Sequence, residues 1–226
     1  MVIYKLKVLF LNGSPRQQES NSDIIVNYLI NKLQERFIET SKIYLAKAVK
    51  SNDQIIDMFD SINISDSLVL IAPVYADSLP FIAVRAMELI AKYRQLMKVN
   101  IPRFYAITNC GFPEAFHNDI ALANVKLFAQ QCNFKLAGGI GFGMSGGVRR
   151  KSGQYDYKIN KNTKMILDKI AAAISEQKDI PYDAIELTKK PAMPIWLYNF
   201  LVNNYWKKLA KMNEVNKKLD ATPHQL

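Results

Sequence analysis

Short apolar runs alternate with amphipathic stretches along most of the chain. The apolar runs have the length and the β-branched residues of strands, and the amphipathic stretches repeat their apolar side chains about every 3.6 residues, as helices do. Strands are predicted at residues 4–11, 40–45, 67–72, 103–109 and 134–140. Helices are predicted at residues 21–37, 52–60, 80–97, 116–132 and 160–176, the last of them capped by Asn160.

This alternation of strand and helix predicts one parallel sheet with helices on both faces. Residues 67–72 are almost continuously apolar, which is typical of a central parallel strand covered on both sides. We therefore expect a three-layer, doubly wound α/β fold with five strands in the order 2-1-3-4-5. In that order a ligand binds outside the carboxyl ends of the strands, beside strands one and three.

The residues after 178 are expected to form a C-terminal helical extension, 179–226, to a single domain of residues 1–178. Prolines indicate a connector, and a helix is predicted from Ile195 to about Leu219. Seven apolar residues give this helix a wide apolar face among its lysines: Trp196, Phe200, Leu201, Tyr205, Trp206, Leu209 and Met212. We favour packing of this face on the domain or on a second subunit. Contact with a membrane surface is the alternative, because Trp and Lys on one amphipathic segment suit a headgroup boundary.

The formal net charge is +10, and the basic residues are concentrated near the end of the sequence, where seven lysines and two acidic residues follow Leu187. Such a tail can attract anionic cofactors, acidic lipid or nucleic acid. A solvated helix face is the simpler interpretation, and no nucleic-acid partner is expected.

The cysteines and histidines do not form a metal-binding pattern. Cys110 and Cys132 lack CxxC spacing, and His117 and His224 are far apart, so the ligand count excludes most zinc and iron–sulfur sites. We expect no bound metal and interpret Cys132 as a small buried hydrophobe.

The apolar segment near the amino end contains two lysines and is followed at once by a polar turn. A signal peptide has a longer apolar region that ends in small residues. The segment is therefore interpreted as a strand, and we expect a cytoplasmic protein.

The loop after the first strand carries the strongest signal for a ligand. Residues 12–22 (NGSPRQQESNS) leave a strand and enter a helix, where backbone N–H groups and the helix dipole favour an anion. Ser14, Ser20 and Ser22 offer hydroxyl groups and Arg16 offers a guanidinium, a set that suits a terminal monophosphate. The loop matches neither a Walker loop nor a GxGxxG dinucleotide loop. A polar turn that only caps the helix is the alternative.

Two further loops are expected to lie beside the first one. Residues 72–80 (APVYADSLP) contain the flat ring of Tyr75 and are stiffened by two prolines, which favours a preformed site. Residues 108–114 (TNCGFPE) contain Gly111, which lets backbone approach a ligand closely. Each loop alone is also compatible with a rigid surface turn, and their convergence at one edge of the sheet favours a shared site.

The GSPR…SNS, APVYADSLP and TNCGF loops together resemble the NADPH-dependent FMN reductase family, whose members have the flavodoxin-like fold. The resemblance spans Tyr4 to about Ile174, and the extension is similar to those of some bacterial members. It implies a flavoprotein that uses FMN, takes hydride from NAD(P)H and passes electrons to a flavin, a quinone or a similar small-molecule acceptor. It also implies a homodimer or a higher oligomer. The compact cysteine cluster of related iron–sulfur flavoproteins is absent from the sequence, so no cluster is expected.

The resemblance also assigns contacts to the cofactor. Contacts to the FMN phosphate are expected from Ser14, Arg16, Ser20, Asn21 and Ser22. Contacts to the isoalloxazine ring and the ribityl chain are expected from Pro73, Val74, Tyr75 and Ser78. Contacts to the other edge of the ring are expected from Asn109, Cys110 and Gly111. No residue is assigned as catalytic, because the flavin itself carries the hydride; the N–H groups around Gly111 are expected to stabilise negative charge at flavin N1.

A glycine-rich stretch, residues 138–147, is followed by Arg149, Arg150 and Lys151. We interpret it as a flexible loop beside the pocket, whose basic residues are a hypothetical contact for the NADPH phosphates. Two other functions are also compatible with the sequence: a flavodoxin-type electron carrier and a non-catalytic FMN-binding protein. The length and the basic charge of the chain argue against the carrier.

Overall fold

A five-stranded parallel sheet forms the centre of the protein in the computed structural model, which describes residues 5–96, 100–150, 157–191 and 193–215. The strands are β1 (Lys7–Asn12), β2 (Glu39–Tyr44), β3 (Ser67–Pro73), β4 (Arg103–Asn109) and β5 (Lys135–Phe142). Their order is β2-β1-β3-β4-β5, with every neighbouring pair parallel, so the predicted strand order is confirmed.

Helices cover both faces of this sheet. They are α1 (Asn21–Gln34), α2 (Leu45–Ala48), α3 (Asn52–Asn63), α4 (Phe81–Leu96), α5 (Asp119–Gln131), α6 (Lys161–Ser175) and α7 (Tyr182–Thr188). Alternate residues of β1 show the division: Val8 and Phe10 pack in a core with α1, α6 and α7, whereas Leu9 and Leu11 pack in a second core with α2 to α5. This two-sided burial explains the continuous apolar runs of the central strands and confirms the three-layer, doubly wound architecture.

Helix α1 ends at Gln34, three residues before the predicted end. Phe37 adopts a left-handed backbone conformation with φ of 60°. The N–H of Phe37 donates to the carbonyl of Gln34 (2.9 Å), and the N–H of Ile38 donates to that of Leu33 (3.1 Å). These bonds satisfy the last carbonyls of the helix and turn the chain into β2.

Four short elements are absent from the prediction. They are α2, α7 and an antiparallel pair formed by β6 (Val148–Arg150) and β7 (Tyr157–Ile159). Helix α7 follows Pro181, whose carbonyl accepts from the N–H of Ala184 (3.0 Å). The sequence prediction treated this proline as part of a connector, whereas it lies at the start of a helix, where a missing N–H is tolerated.

Other boundaries differ by a few residues. Pro80 lies just before α4, and its carbonyl accepts from the N–H groups of Ala83 and Val84. The predicted cap of α6 is confirmed, since the Asn160 side chain accepts from the N–H of Thr163 (2.7 Å). Met97, at the predicted end of α4, lies outside the described residues.

The chain divides into two compact units, residues 1–192 and 193–226. Helix α7 follows the expected domain boundary at residue 178 and packs with α6 and β5 in the first unit. The described part of the second unit contains α8 (Ile195–Met212). The predicted continuation of this helix to Leu219 lies outside the described residues. Within the described chain, every helix is too short or too polar to cross a bilayer.

Candidate functional site

A cleft of about 420 Å³ opens at the carboxyl ends of β1, β3 and β4. It lies where the strand order places a ligand, because the chain leaves β1 and β3 in opposite directions across the sheet. Its lining residues come from the three loops singled out in the sequence: Ser14, Arg16, Ser20, Asn21, Ser22, Pro73, Val74, Tyr75, Ala76, Asn109, Gly111 and Phe112.

Ten of the twelve predicted site residues line this cleft, and two, Ser78 and Cys110, do not. Ala76 and Phe112 line it although they were not predicted as site residues. The serines, Arg16 and Asn21 form a polar wall, and Pro73, Val74, Tyr75, Ala76 and Phe112 form an aromatic wall. Asn109 contacts both walls, because its Nδ2 donates to Ser22 Oγ (3.0 Å) and its carbonyl accepts from the N–H of Val74 (2.8 Å).

The polar wall begins with a close contact between backbones. A Cβ atom on Gly13 would lie 2.8 Å from Cβ of Ala72 and 3.1 Å from Cβ of Ala83. The N–H of Gly13 donates to the carbonyl of Ile71 (2.8 Å). Only glycine fits this approach without displacement of β3 or α4, so the loop starts from a fixed position.

A buried polar network then sets the course of the loop. Asn12 Oδ1 accepts from the N–H of Ser14 (2.9 Å), and Asn12 Nδ2 donates to Asp23 Oδ1 (3.2 Å). The same carboxylate oxygen accepts from Lys42 Nζ (2.9 Å) and from the Tyr44 hydroxyl (2.9 Å). Although burial lowers the pKa of Lys42, its hydrogen bonds to Tyr44 and Asp23 outweigh that effect and raise the pKa. Lys42 is therefore charged at neutral pH and balances Asp23.

The three serines of the polar wall have different roles. Ser20 Oγ accepts from the N–H of Asp23 (3.1 Å) and donates to the carbonyl of Gln17 (2.6 Å), so both its functions are used in capping α1. Ser14 Oγ accepts from the N–H of Arg16 (3.3 Å), and Ser22 Oγ accepts from Asn109 Nδ2 (3.0 Å). In these bonds Ser14 and Ser22 are acceptors, which leaves their hydroxyl hydrogens for a ligand.

The electrostatics of the cleft favour an anion. Arg16 is exposed and is the one formally charged side chain among the lining residues. Helix α1 starts at Asn21, and the first N–H groups of a helix have no intrahelical acceptor. The guanidinium, two hydroxyls and the positive end of a helix of 14 residues thus converge on one end of the cleft.

The aromatic wall is more open. Residues 75–78 form a tight turn in which the N–H groups of Tyr75 and Ser78 donate to each other's carbonyls (2.8 and 3.1 Å). Ala76 and Asp77 have positive φ values of 47° and 62°, as a type I′ turn requires. Tyr75 is 52% exposed. Ser78 contributes backbone bonds to this turn, is exposed and does not line the cleft.

Cys110 was predicted to contact the cofactor, but its side chain lies beneath the β4 loop. Its Sγ accepts from Asn118 Nδ2 (3.4 Å) and lies 3.7 Å from the carbonyl of Phe112. Its N–H is also used, because it donates to the carbonyl of Phe142 (2.9 Å). Burial raises the pKa of the Cys110 thiol, so the thiol is neutral at neutral pH and supports the loop from inside.

Phe112 stands at the mouth of the cleft and is 59% exposed. Its ring packs on His117, which in turn packs on Phe116, with ring centroids 4.4 and 4.3 Å apart. Phe112 lies in the loop, and Phe116 and His117 lie in the one-turn 3₁₀ helix that follows it, so the segment is too short for a periodic pattern to predict this contact.

The glycine-rich stretch supports this loop. A Cβ atom on Gly143 would lie 2.3 Å from the carbonyl oxygen of Pro113, and the N–H of Met144 donates to the carbonyl of Phe112 (2.6 Å). Arg149 and Arg150 belong to β6, but their side chains and the whole of Lys151 lie outside the described residues. Their contact with NADPH stays a prediction.

No family model matches the sequence, and no curated protein matches it. Solved structures do match the fold. An NADH:FMN oxidoreductase superposes with a TM-score of 0.58 and 11% identity, over 84% of this chain and 97% of that chain. An NAD(P)H:quinone oxidoreductase from Methanothermobacter marburgensis superposes with a TM-score of 0.56 and 13% identity, over 77% of this chain and 100% of that chain.

A rubredoxin oxygen:oxidoreductase from Desulfovibrio gigas matches with a TM-score of 0.54 and 9% identity. This alignment covers 76% of the present chain and 36% of the other, so the chain spans about a third of that protein. At these identities the likeness establishes architecture. The protein has the flavodoxin-like fold that its loops implied.

Proposed function

We propose that the protein is an FMN-containing, NAD(P)H-dependent oxidoreductase that passes electrons to a flavin, a quinone or a similar small-molecule acceptor. The observation that carries this proposal is the division of one cleft into two ends. The polar wall ends in two hydroxyls and a guanidinium at a helix N-terminus, and the aromatic wall offers proline, valine and tyrosine surfaces. The fold neighbours named for NADH:FMN and NAD(P)H:quinone oxidoreduction support it.

The residues present fit FMN. Ser14, Arg16 and Ser22 hold the 5′-phosphate, since their donors match a dianion that accepts several charge-assisted hydrogen bonds. Ser20 holds the helix start and Asn21 supplies a first-turn N–H group. Pro73, Val74 and Tyr75 cover the ring and the ribityl chain, and Asn109 and Gly111 lie at the ring's other edge.

Bound FMN supplies the two-electron chemistry, accepting hydride from a nicotinamide and releasing electrons to an acceptor. The protein's part is to orient the ring and to control access to it. The residues that line the cleft include no carboxylate, imidazole or thiol, so the proposal assigns no side chain as an acid or base. Stabilisation of negative charge on the ring by N–H groups of the loop around Gly111 is part of the proposal and excludes the N–H of Cys110, which donates to the carbonyl of Phe142. Tyr75 and Phe112 leave an open face for a flat substrate.

A nicotinamide donor, either NADPH or NADH, a homodimer or higher oligomer and a cytoplasmic location are further parts of the proposal. An open cleft discriminates weakly between flat acceptors, because few polar groups are placed to recognise one of them. We therefore propose only the chemical class of the electron acceptor, which is a flat molecule such as a flavin or a quinone.

The test compares FMN with riboflavin, which lacks the phosphate. Fluorescence titration of the purified protein is expected to give a dissociation constant for FMN that is at least about a hundredfold lower than that for riboflavin. The reason is that hydrogen bonds to charged groups contribute about 1.5–3 kcal/mol each. The double variant Ser14→Ala with Arg16→Ala should lose most of that preference. The matched control, Ser41→Ala with Arg85→Ala, removes an exposed serine and an exposed arginine away from the cleft and should keep it.

Steady-state oxidation of NADPH with a quinone or free FMN as acceptor then tests catalysis. Equal affinity of the wild-type protein for FMN and riboflavin would overturn the phosphate site. Tight FMN binding without NADPH or NADH oxidation would exclude the reductase and leave an electron carrier or a binding protein.

A further inference from the structure

Helix α8 differs from every other part of the described chain in its composition. Its 18 residues, IWLYNFLVNNYWKKLAKM, include three lysines and no acidic residue. The remainder are asparagines and apolar side chains, four of them Trp or Tyr. A basic helix rich in Trp and Tyr has the composition of segments that lie in the headgroup layer of a membrane.

Most of the large apolar side chains of α8 are exposed, and Leu197, Tyr198, Val202 and Leu209 are half-buried. Trp196 is 71% exposed, Trp206 61% and Tyr205 58%, and Phe200 and Met212 are comparably open to solvent. A helix of a soluble domain normally buries such residues, and a cluster of them on one exposed helix marks an interaction surface.

Part of the apolar residues of α8 recur with the period of the helix. Five apolar residues spaced by three or four share one side, here named the α8 apolar face: Tyr198, Leu201, Tyr205, Leu209 and Met212. Lys207 and Lys211 lie on the opposite side and Lys208 lies at the edge of the face. All three lysines are exposed. Trp196 and Phe200 lie on the same side as Lys207 and Lys211, so exposed apolar surface is also present on that side in the first turns.

We propose that α8 is an interfacial helix that binds membrane surfaces containing anionic lipid. The α8 apolar face enters the boundary between headgroups and acyl chains, and the lysines remain among the phosphates, where their long stems allow the ammonium groups to stay solvated. The three lysines keep the helix at the surface, in agreement with the lack of a membrane-spanning helix in the described residues.

Charge favours a lipid surface over a second copy of the chain. Two α8 helices packed through their apolar faces would bring the two Lys208 side chains, which lie at the edge of that face, close together without a carboxylate from either helix. An anionic lipid surface supplies the opposite charge, at about 1 kcal/mol for each lysine near the surface. This inference does not depend on the proposed redox function.

The chain provides its own probe, because its two tryptophans, Trp196 and Trp206, both lie in α8. The full-length protein is mixed with vesicles of phosphatidylcholine alone or of phosphatidylcholine with phosphatidylglycerol. Flotation measures binding, and tryptophan emission with brominated lipids measures depth. We expect binding to the mixed vesicles, a blue shift of emission and quenching by brominated lipid, all weakened by salt.

Three sets of variants locate the effect. Lys207→Glu with Lys208→Glu and Lys211→Glu should reduce partitioning about a hundredfold or more. Leu201→Ala with Tyr205→Ala and Met212→Ala should reduce it without loss of helix propensity. Trp196→Phe, which leaves Trp206 beside the α8 apolar face, should keep the blue shift.

The matched control is Lys126→Glu with Lys161→Glu and Lys164→Glu, which makes the same change in net charge on exposed positions of α5 and α6. It should reduce binding much less. Circular dichroism checks that all variants keep their helix content.

Other results overturn the proposal. They are no binding to the mixed vesicles, equal binding to both kinds of vesicle, or an equal loss in the control variant. Concentration-dependent dimerisation that shifts tryptophan emission in the absence of vesicles would assign the face to a second copy. Binding to duplex DNA at the same ionic strength, without binding to vesicles, would assign the lysines to nucleic acid.

Discussion

The two walls of the cleft are built in different ways. The polar wall rests on buried groups: Asn12, Ser14, Ser20 and Ser22 are all shielded from solvent and joined by short hydrogen bonds. The aromatic wall presents Tyr75 and Phe112, each more than half exposed, on turns held mainly by backbone bonds.

The polar wall is built to hold a ligand in place, and the aromatic wall is built to leave space for a second molecule. A wall that is rigid before binding loses little entropy when its ligand arrives, and so it suits the group that must stay in place. An exposed wall leaves room for successive flat substrates on the same ring. In the proposed flavoprotein, FMN is therefore held by its phosphate and is used through its ring.

The largest effect on folding stability and FMN affinity is expected from a substitution in the hydrogen-bond network beneath the polar wall. Asp23→Ala removes the acceptor of four side-chain donors and leaves Lys42 without its carboxylate partner. Breaking one side of a buried ion pair costs about 3–5 kcal/mol, and we expect the low end, because Lys42 is partly exposed. Urea unfolding measures the stability and FMN titration the affinity, which should fall with it.

The control for this variant is Asn27→Ala, which removes a side chain that also bonds Asp23 and Lys42 but carries no charge. It should cost about 1 kcal/mol. Equal losses in the two variants would show that charge balance does not stabilise the loop.

An intermediate effect is expected for two serines of the polar wall, one of which should affect FMN affinity and the other folding stability. Ser22→Ala removes a free hydroxyl donor and should weaken FMN binding about tenfold, with a small change in stability. Ser20→Ala removes a helix cap and should cost about 1 kcal/mol of stability with little change in FMN affinity once the protein is folded. Titration and unfolding of both variants test the assignment, which fails if Ser20→Ala has the larger effect on affinity.

The smallest effect is expected at the aromatic wall. Phe112→Ala should lower kcat/KM for a quinone severalfold, because loss of an aromatic contact costs about 0.5–1.5 kcal/mol, and should leave FMN affinity nearly unchanged. Cys110→Ala should change neither quantity, since the thiol lies under the loop. A loss of FMN affinity in Cys110→Ala would instead support the contact between Cys110 and FMN that the sequence predicts.

The sheet and the place of the cleft were predictable, because they follow from local patterns. Residues 67–72 have the composition of a central strand, and the order of strands and helices fixes which loops meet. The left-handed turn at Phe37 carries no such signal, because Gly or Asn is the usual residue there. The short β6–β7 pair lacks the length for a periodic pattern.

The network around Asp23 was not predictable for a different reason. Its members come from β1, α1 and β2, and only the packed fold brings Asn12, Asp23 and Lys42 together. The position of the Cys110 side chain was not predictable for a related reason. A residue between two cleft residues was assigned to the cleft, although Asn118 and the carbonyls of its own loop hold the thiol on the other side.

The bond between Asn109 Nδ2 and Ser22 Oγ joins residues 87 positions apart. The cleft therefore cannot form on a partly synthesised chain that ends before β4. A molecule bound in the cleft contacts segments that are far apart in sequence and so acts as a reversible cross-link between them. At a concentration a hundred times its dissociation constant, such a molecule stabilises the folded chain by about 2.7 kcal/mol. In the proposed flavoprotein, the supply of FMN would therefore affect how long the folded chain persists.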